Sequence, residues 1–321
     1  MQITKSPSGK TPLIFDHQRS AFEKLRRAGN VCFSPLRKNL PMQARTNSLL
    51  IGPSGSGKSY LARAVAQSFG LECKNLTVAE WMVLGSGTKG AKRSWNSIFD
   101  FLVKNHSKKG AVIFLDEIDK LDGTGDWSQH LRVEVFRLLD LTIPPDLLDE
   151  DDHTTDPTLF REVSEFLKHR TFIIAAGAFQ SLWDDGSKKV GGFGGDQETE
   201  PPSQEILSRY LAKELINRFR SDVVILEQLT IADYESMLLS SAEKMPPQFQ
   251  ERFLLLGEQR IAEARRNHQG VRFLEELTAD VLAEDIEPAA PEVPQKKTPR
   301  WRLDSCPTRF PWVPEVTPAA F

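Results

Sequence analysis

Residues 49–60 read Leu49-Leu50-Ile51-Gly52-Pro53-Ser54-Gly55-Ser56-Gly57-Lys58-Ser59-Tyr60. A short apolar run enters the pattern Gly-x-x-x-x-Gly-Lys-Ser, and a helix-like stretch leaves it toward Phe69. That is the strand–loop–helix setting in which such a loop cradles phosphates. Gly52, Gly55 and Gly57 permit backbone angles that turn successive N–H groups toward an anion, with Pro53, Ser54 and Ser56 between them. A helix beginning near Lys58 adds the positive end of its dipole. Lys58 is expected to reach the β- and γ-phosphates, Ser59 to bind Mg²⁺, and Tyr60 to follow on the nucleotide side.

A second motif completes the first. Residues 111–117 read Ala-Val-Ile-Phe-Leu-Asp-Glu, an apolar strand ending in two carboxylates. Asp116 is expected to hold the metal with Ser59, and Glu117 to polarise a water for attack on the γ-phosphate. The expected cofactors are ATP and Mg²⁺.

Composition narrows the class. The chain has 321 residues, 40% hydrophobic and 26% charged, as in an ordinary globular protein of up to two domains. A net charge of −3 provides no global basic field for nucleic acid. Cys32, Cys73 and Cys306 are far apart and suggest neither a disulfide framework nor a zinc site. Residues 1–12 lack the apolar core of a signal peptide, and no apolar run is long enough to span a membrane. A cytoplasmic location is expected.

Apolar strands are expected at 47–52, 73–76, 111–116, 171–176 and 223–226, and helices at 17–28, 58–69, 94–104 and 131–141. Alternation of buried strands with helices predicts an α/β fold, a parallel sheet covered on both faces. From Ile231 to about Asp285 the pattern is helical only. The expected organisation is a disordered segment 1–12, a large P-loop domain 13–229, a small all-α domain 230–286 and a proline-rich tail 287–321. Residues 144–156 and 184–204 read as exposed loops, the first strongly acidic.

With these motifs placed, residues 12–285 resemble the AAA+ ATPases, and more narrowly the ClpX/HslU branch of unfolding machines. The extended metal motif Phe114-Leu115-Asp116-Glu117-Ile118-Asp119-Lys120, the Gly177-Ala178-Phe179 signature, Glu214 to Phe219, and Gln269 to Leu274 carry the likeness. The resemblance implies an αβα P-loop sandwich followed by an all-α lid, assembled as a homo-oligomer, by family pattern a hexamer. It implies that Arg218 reaches the γ-phosphate held by the next subunit, with Arg220 as the alternative. It further implies that Arg272 contacts nucleotide from the lid and that Leu13 and Ile14 touch adenine. The first sensor of the family falls at Ala175 and Ala176, which have no hydrogen-bonding side chain.

Other positions depart from the branch. Its pore loop carries an aromatic–apolar pair between glycines, whereas this chain reads Gly85-Ser86-Gly87-Thr88-Lys89-Gly90. Trp81 and Met82 just upstream are expected to pack the fold. The second pore loop is acidic here rather than basic. No cysteine cluster precedes the P-loop, so the ClpX zinc domain is not expected. Gly191 stands before Gly192-Phe193 where a peptidase-docking loop needs an apolar residue, so peptidase docking is not expected either. Three functions stay open: an ATP-driven remodeller of a protein partner; a nucleic-acid-associated ATPase using Lys89, Lys92 and Arg93 with Trp95 nearby; and an ATP-dependent assembly switch without threading.

Overall fold

A computed structural model describes residues 12–39, 41–85, 90–122, 126–148, 156–180 and 212–283. Five strands form one parallel sheet: β1 (Ser48–Ile51), β2 (Cys73–Thr77), β3 (Ala111–Asp116), β4 (Thr171–Gly177) and β5 (Val224–Ile225), in the order β2-β3-β4-β1-β5. This is the α/β class that the strand pattern predicts.

The continuous apolar runs become intelligible once the pleat is applied. Side chains alternate faces along a strand. Leu49, Ile51, Ile113, Leu115, Ile173 and Ala175 enter one core, and Leu50, Val112, Phe114, Phe172, Ile174 and Ala176 enter the other. Both faces are buried, so neither tolerates polar alternation. Helices α1 (Asp16–Cys32) and α2 (Lys58–Ser68) cover the second core. The first is covered by α3 (Val78–Gly85), α4 (Gly90–Asn105), α5 (Asp126–Leu139) and α6 (Pro157–Arg170).

Helices α3 and α6 do not appear in the sequence expectation. The start of α6 was nevertheless written in the chain, because Asp156 accepts from the Thr158 amide at 2.9 Å and Pro157 occupies the first turn. The acidic composition of 144–156 masks that cap as loop.

After a one-turn helix α7 (Lys213–Ile216) and β5, the chain is helical: α8 (Ile231–Ala242), α9 (Pro247–Arg266) and α10 (Arg272–Ala283). Thr230 and Asp233 form a reciprocal capping box at the start of α8. These helices enclose a third core, in which Tyr234, Met237, Phe253, Phe273 and Leu277 are buried with Phe15 from the N-terminal segment. Phe15 and partly buried Leu13 therefore join this core, whereas Ile14 packs beside α1 and α2.

Among the described residues no helix is long and apolar enough to cross a membrane. The expected disorder of 1–12, the pore-loop residues 86–89, the acidic residues 149–155, the loop containing 190–195 and the tail 287–321 lie wholly or almost wholly outside the described residues.

Candidate nucleotide site

The phosphate loop leaves β1 at Gly52, whose amide donates to Gly177 at the end of β4, and enters α2 at Lys58. Gly57 caps α2 in the left-handed region at φ +85°, a conformation that L side chains resist. A β-carbon there would also collide with the side-chain amide of Gln18.

Asp116 ends β3, one strand removed from β1. Its Oδ2 nevertheless accepts from the Ser59 hydroxyl at 3.0 Å, and its Oδ1 from the Glu117 amide at 2.9 Å. A hydroxyl and a carboxylate held together are hard oxygen donors suited to Mg²⁺, which typically takes few protein ligands and completes its shell with water and phosphate. Among the described residues no group of three or more His, Cys, Asp or Glu side chains is arranged to hold a metal by itself. The donor set therefore fits a cation that arrives with a nucleotide.

These residues face a cavity of about 380 Å³, to which Ser54, Gly55, Gly57, Lys58, Ser59, Tyr60, Asp116, Glu117 and Arg272 all contribute. Four cations (Lys58, Arg63, Lys120, Arg272) and four carboxylates (Asp116, Glu117, Asp119, Glu275) balance on its walls. Lys58 donates to the carbonyls of Gly52 and Pro53 at 2.7 and 2.9 Å. Burial pushes its ammonium below the ordinary 10.5; Asp116 and Asp119 act against that shift, and Arg272 adds to it.

Glu117 stands at φ +61°, which a non-glycine residue adopts only under constraint. Its Oε2 pairs with Lys120 at 2.8 Å. Strained backbone of this kind clusters where geometry serves a site. At the end of β4, Phe179 also takes a positive φ of +46° and donates its amide to Asp119 at 3.2 Å.

Several expected residues fall elsewhere. Ala175 and Ala176 are buried in opposite cores because the strand pleat turns them there, and Ala178 is the residue of this segment that reaches the cavity. Leu13 and Ile14 do not line it; Leu13 instead accepts from the Tyr60 hydroxyl at 2.6 Å, behind the loop. Gly52, Pro53 and Ser56 shape the loop from behind rather than lining that cavity. Trp81 packs the fold as expected, edge-on to Trp95 at 6.1 Å. Trp95 is itself 1% exposed, so it is not available to stack on a base. The side chains of Met82, Lys92 and Arg93 lie outside the described residues.

Arg218 is remote from this cavity. Its carbonyl accepts from the Asn47 amide at 3.3 Å, and the Arg220 amide donates to the Asn47 carbonyl at 3.0 Å, just before β1 begins. At ~3.3 Å per residue, the far end of β1 places Asn47 roughly 16 Å from Gly52.

Two contributors escaped the sequence reading. Gln18 is fully buried and donates to the Ser56 carbonyl at 3.3 Å, supporting the phosphate loop from below. Its signal was a glutamine on the apolar stripe shared with Ala21, Phe22 and Leu25. Asp119 lay inside a quoted motif but had no role until the fold brought Phe179 to it.

Residues 48–184 match the family model described as "ATPase family associated with various cellular activities (AAA)". This stretch is an AAA domain. The chain is 41% identical over 71 residues to the ATP-dependent zinc metalloprotease FTSH 5, chloroplastic, of Arabidopsis thaliana, covering 22% of this chain and 9% of that protein. It is 39% identical over 75 residues to the mitochondrial inner membrane i-AAA protease supercomplex subunit YME1 of Saccharomyces cerevisiae, covering 23% and 9%. A longer match, 22% identical over 232 residues, covers 66% of this chain and 56% of the ATP-dependent Clp protease ATP-binding subunit ClpX 2 of Wolinella succinogenes. The chain thus spans about a tenth of the FTSH and YME1 proteins and about half of the ClpX relative. These relatives support the AAA+ family; they divide between two kinds of AAA module and do not single out one branch.

Proposed function

We propose that this chain is a Mg²⁺-dependent ATPase of the ClpX/HslU kind that works as a ring-shaped homo-oligomer, a hexamer by family pattern, and remodels a protein partner. The observation that carries the reading is the division of the catalytic set. Lys58, Ser59, Asp116, Glu117 and Arg272 share one cavity, while Arg218 lies at the opposite end of β1. An arginine too far to serve its own nucleotide has a use when a neighbour's phosphates meet it. Such an arginine acting in trans gives ~10³–10⁵ in rate in well-studied phosphoryl-transfer sites.

In this reading Lys58 and the loop amides bind the phosphates, and Ser59 with Asp116 holds Mg²⁺. The bound cation neutralises charge that develops on the transferred phosphoryl group. Glu117 accepts the proton of the attacking water at Oε1, the oxygen not paired with Lys120. Arg272 stands at the start of α10 and senses the nucleotide from residues 230–286, the proposed lid on a large domain 13–229. Leu13 and Ile14 pack against the third and second cores respectively, and we assign them the adenine contact on the family resemblance alone. The relatives are named as ATP-dependent proteases and as the ATP-binding subunit of one, which favours a protein partner. The burial of Trp95 removes one support for nucleic acid.

The test is the Glu117→Gln protein with ATP and Mg²⁺. It should bind ATP, hydrolyse it at least ~10²-fold more slowly, and accumulate as a large oligomer that retains its partner. A monomer under these conditions would remove the ring.

A further inference from the structure

Arg218 is held in a defined pose. Its Nε–H is shared between the two Asp140 oxygens at 3.1 and 3.2 Å, and Nη1 donates to the Glu214 carbonyl at 2.8 Å. The guanidinium carbon lies 3.9 Å from the centre of the Phe136 ring. A guanidinium carries five N–H donors. These contacts use two of the five and cover one face, and among the described residues the other N–H of Nη1 and both of Nη2 have no partner. The side chain is 24% exposed, so that free edge has access to the surface.

Phe136 and Asp140 stand one turn apart at the C-terminal end of α5. The same end is anchored by Asn47, whose side-chain amide donates to the Leu139 carbonyl at 2.6 Å as well as to that of Arg218. One buried asparagine therefore ties the clamp and the residue it holds to the base of β1.

We propose that Asp140 is a positioning residue for Arg218: with Phe136 it fixes the guanidinium so that its free edge is presented to the phosphate of an adjacent subunit. The proposal rests on the reading of Arg218 as a donor in trans. A long arginine that must be immobilised during the reaction loses rotamer freedom at that moment. A clamp that immobilises it beforehand moves that loss into folding. Because Asp140 engages Nε and leaves the outer edge free, it holds the arginine without occupying the donors that would meet phosphate.

The experiment is steady-state ATP hydrolysis of the full chain, comparing Asp140→Ala, Asp140→Asn, Arg218→Ala and the Asp140→Ala/Arg218→Ala double variant. Asp140→Ala should lower kcat about tenfold or more with KM changed less than about threefold. Asp140→Asn retains an acceptor for Nε–H and should recover most of that loss. The double variant should be no slower than Arg218→Ala alone, since a clamp without its arginine has nothing to hold. Wild-type kcat in Asp140→Ala, or losses that multiply in the double variant, would overturn the clamp while leaving Arg218 in place. A wild-type rate in Arg218→Ala would overturn the trans reading and the clamp with it.

Discussion

The backbone amide of Val271 donates to the carbonyl of Gly55 at 3.0 Å, joining the loop before α10 to the phosphate loop after β1. The next residue back, Gly270, takes φ +59°, and its amide donates to the buried Tyr234 hydroxyl at 2.8 Å. A β-carbon on Gly270 would overlap the Gly55 carbonyl. The helical region thus reads the phosphate loop through main chain, at a distance that only glycine permits.

Gly270→Ala should separate that contact. A positive φ alone disfavours alanine by about 1–2 kcal/mol, and the overlap adds to it. The variant should melt several degrees lower and bind ATP or ADP at least ~10-fold more weakly, about 1.4 kcal/mol. Differential scanning fluorimetry with and without nucleotide checks both. An unchanged nucleotide-induced shift would show that the Gly55–Val271 bond does not couple the two regions.

Ser59 and Asp116 should behave as a metal pair. Ser59→Ala removes the hydroxyl that meets Asp116 Oδ2 and should raise the Mg²⁺ needed for half-maximal hydrolysis by about tenfold. Nucleotide binding in EDTA should stay within about threefold of wild type, because the phosphate contacts of the loop and Lys58 remain. Lys58→Ala should show the opposite pattern and lose nucleotide in either condition. Isothermal titration with and without Mg²⁺ distinguishes them.

The depressed pKa of Lys58 sets an alkaline limb. Bound phosphates favour the ammonium, so its pKa is higher in the complex than in the free protein. Between those two values the free protein has lost the proton that the complex keeps, and affinity falls as pH rises, by up to about tenfold per unit. Because burial places the free value below 10.5, the decline should begin below the pH at which an ordinary lysine titrates. Fluorescent-nucleotide titrations across that range measure it; an affinity flat up to 10.5 would show that Lys58 does not meet the phosphates.

Gln18 should matter despite standing outside the cavity lining. Gln18→Met keeps the volume but removes one of the donors to the buried Ser56 carbonyl, which His17 also meets, a loss of about 0.5–1.5 kcal/mol. The melting temperature should fall by several degrees and nucleotide affinity by several-fold. Gln18→Glu places a carboxylate under the phosphate loop and should weaken binding further. Equal nucleotide affinity in wild type and Gln18→Glu would mean that the loop does not feel this position.

The chain by itself determined the parts whose physics is local. The run Leu49 to Ser59 specifies strand, turn and helix start through apolar content and glycine, and Ala111 to Asp116 specifies a strand buried on both faces. Residue type and setting also raised the expectation that Ser59 and Asp116 form a metal pair and that Lys58 meets phosphate, and the fold brings Ser59 and Asp116 within 3.0 Å on the cavity that Lys58 lines. Tertiary structure decided what depends on which elements become neighbours. Strand order set β4 between β1 and β3, and the pleat then turned Ala175 and Ala176 into opposite cores and left Ala178 at the cavity. Helix α1 slid under the phosphate loop and made Gln18 part of it. The packing of α5 against the segment after α7 gave Arg218 its clamp of Asp140 and Phe136, residues far from it in sequence. A motif records the backbone and chemistry a few residues need; contacts between distant segments depend on the summed packing of every layer, and no single stretch of sequence contains that sum.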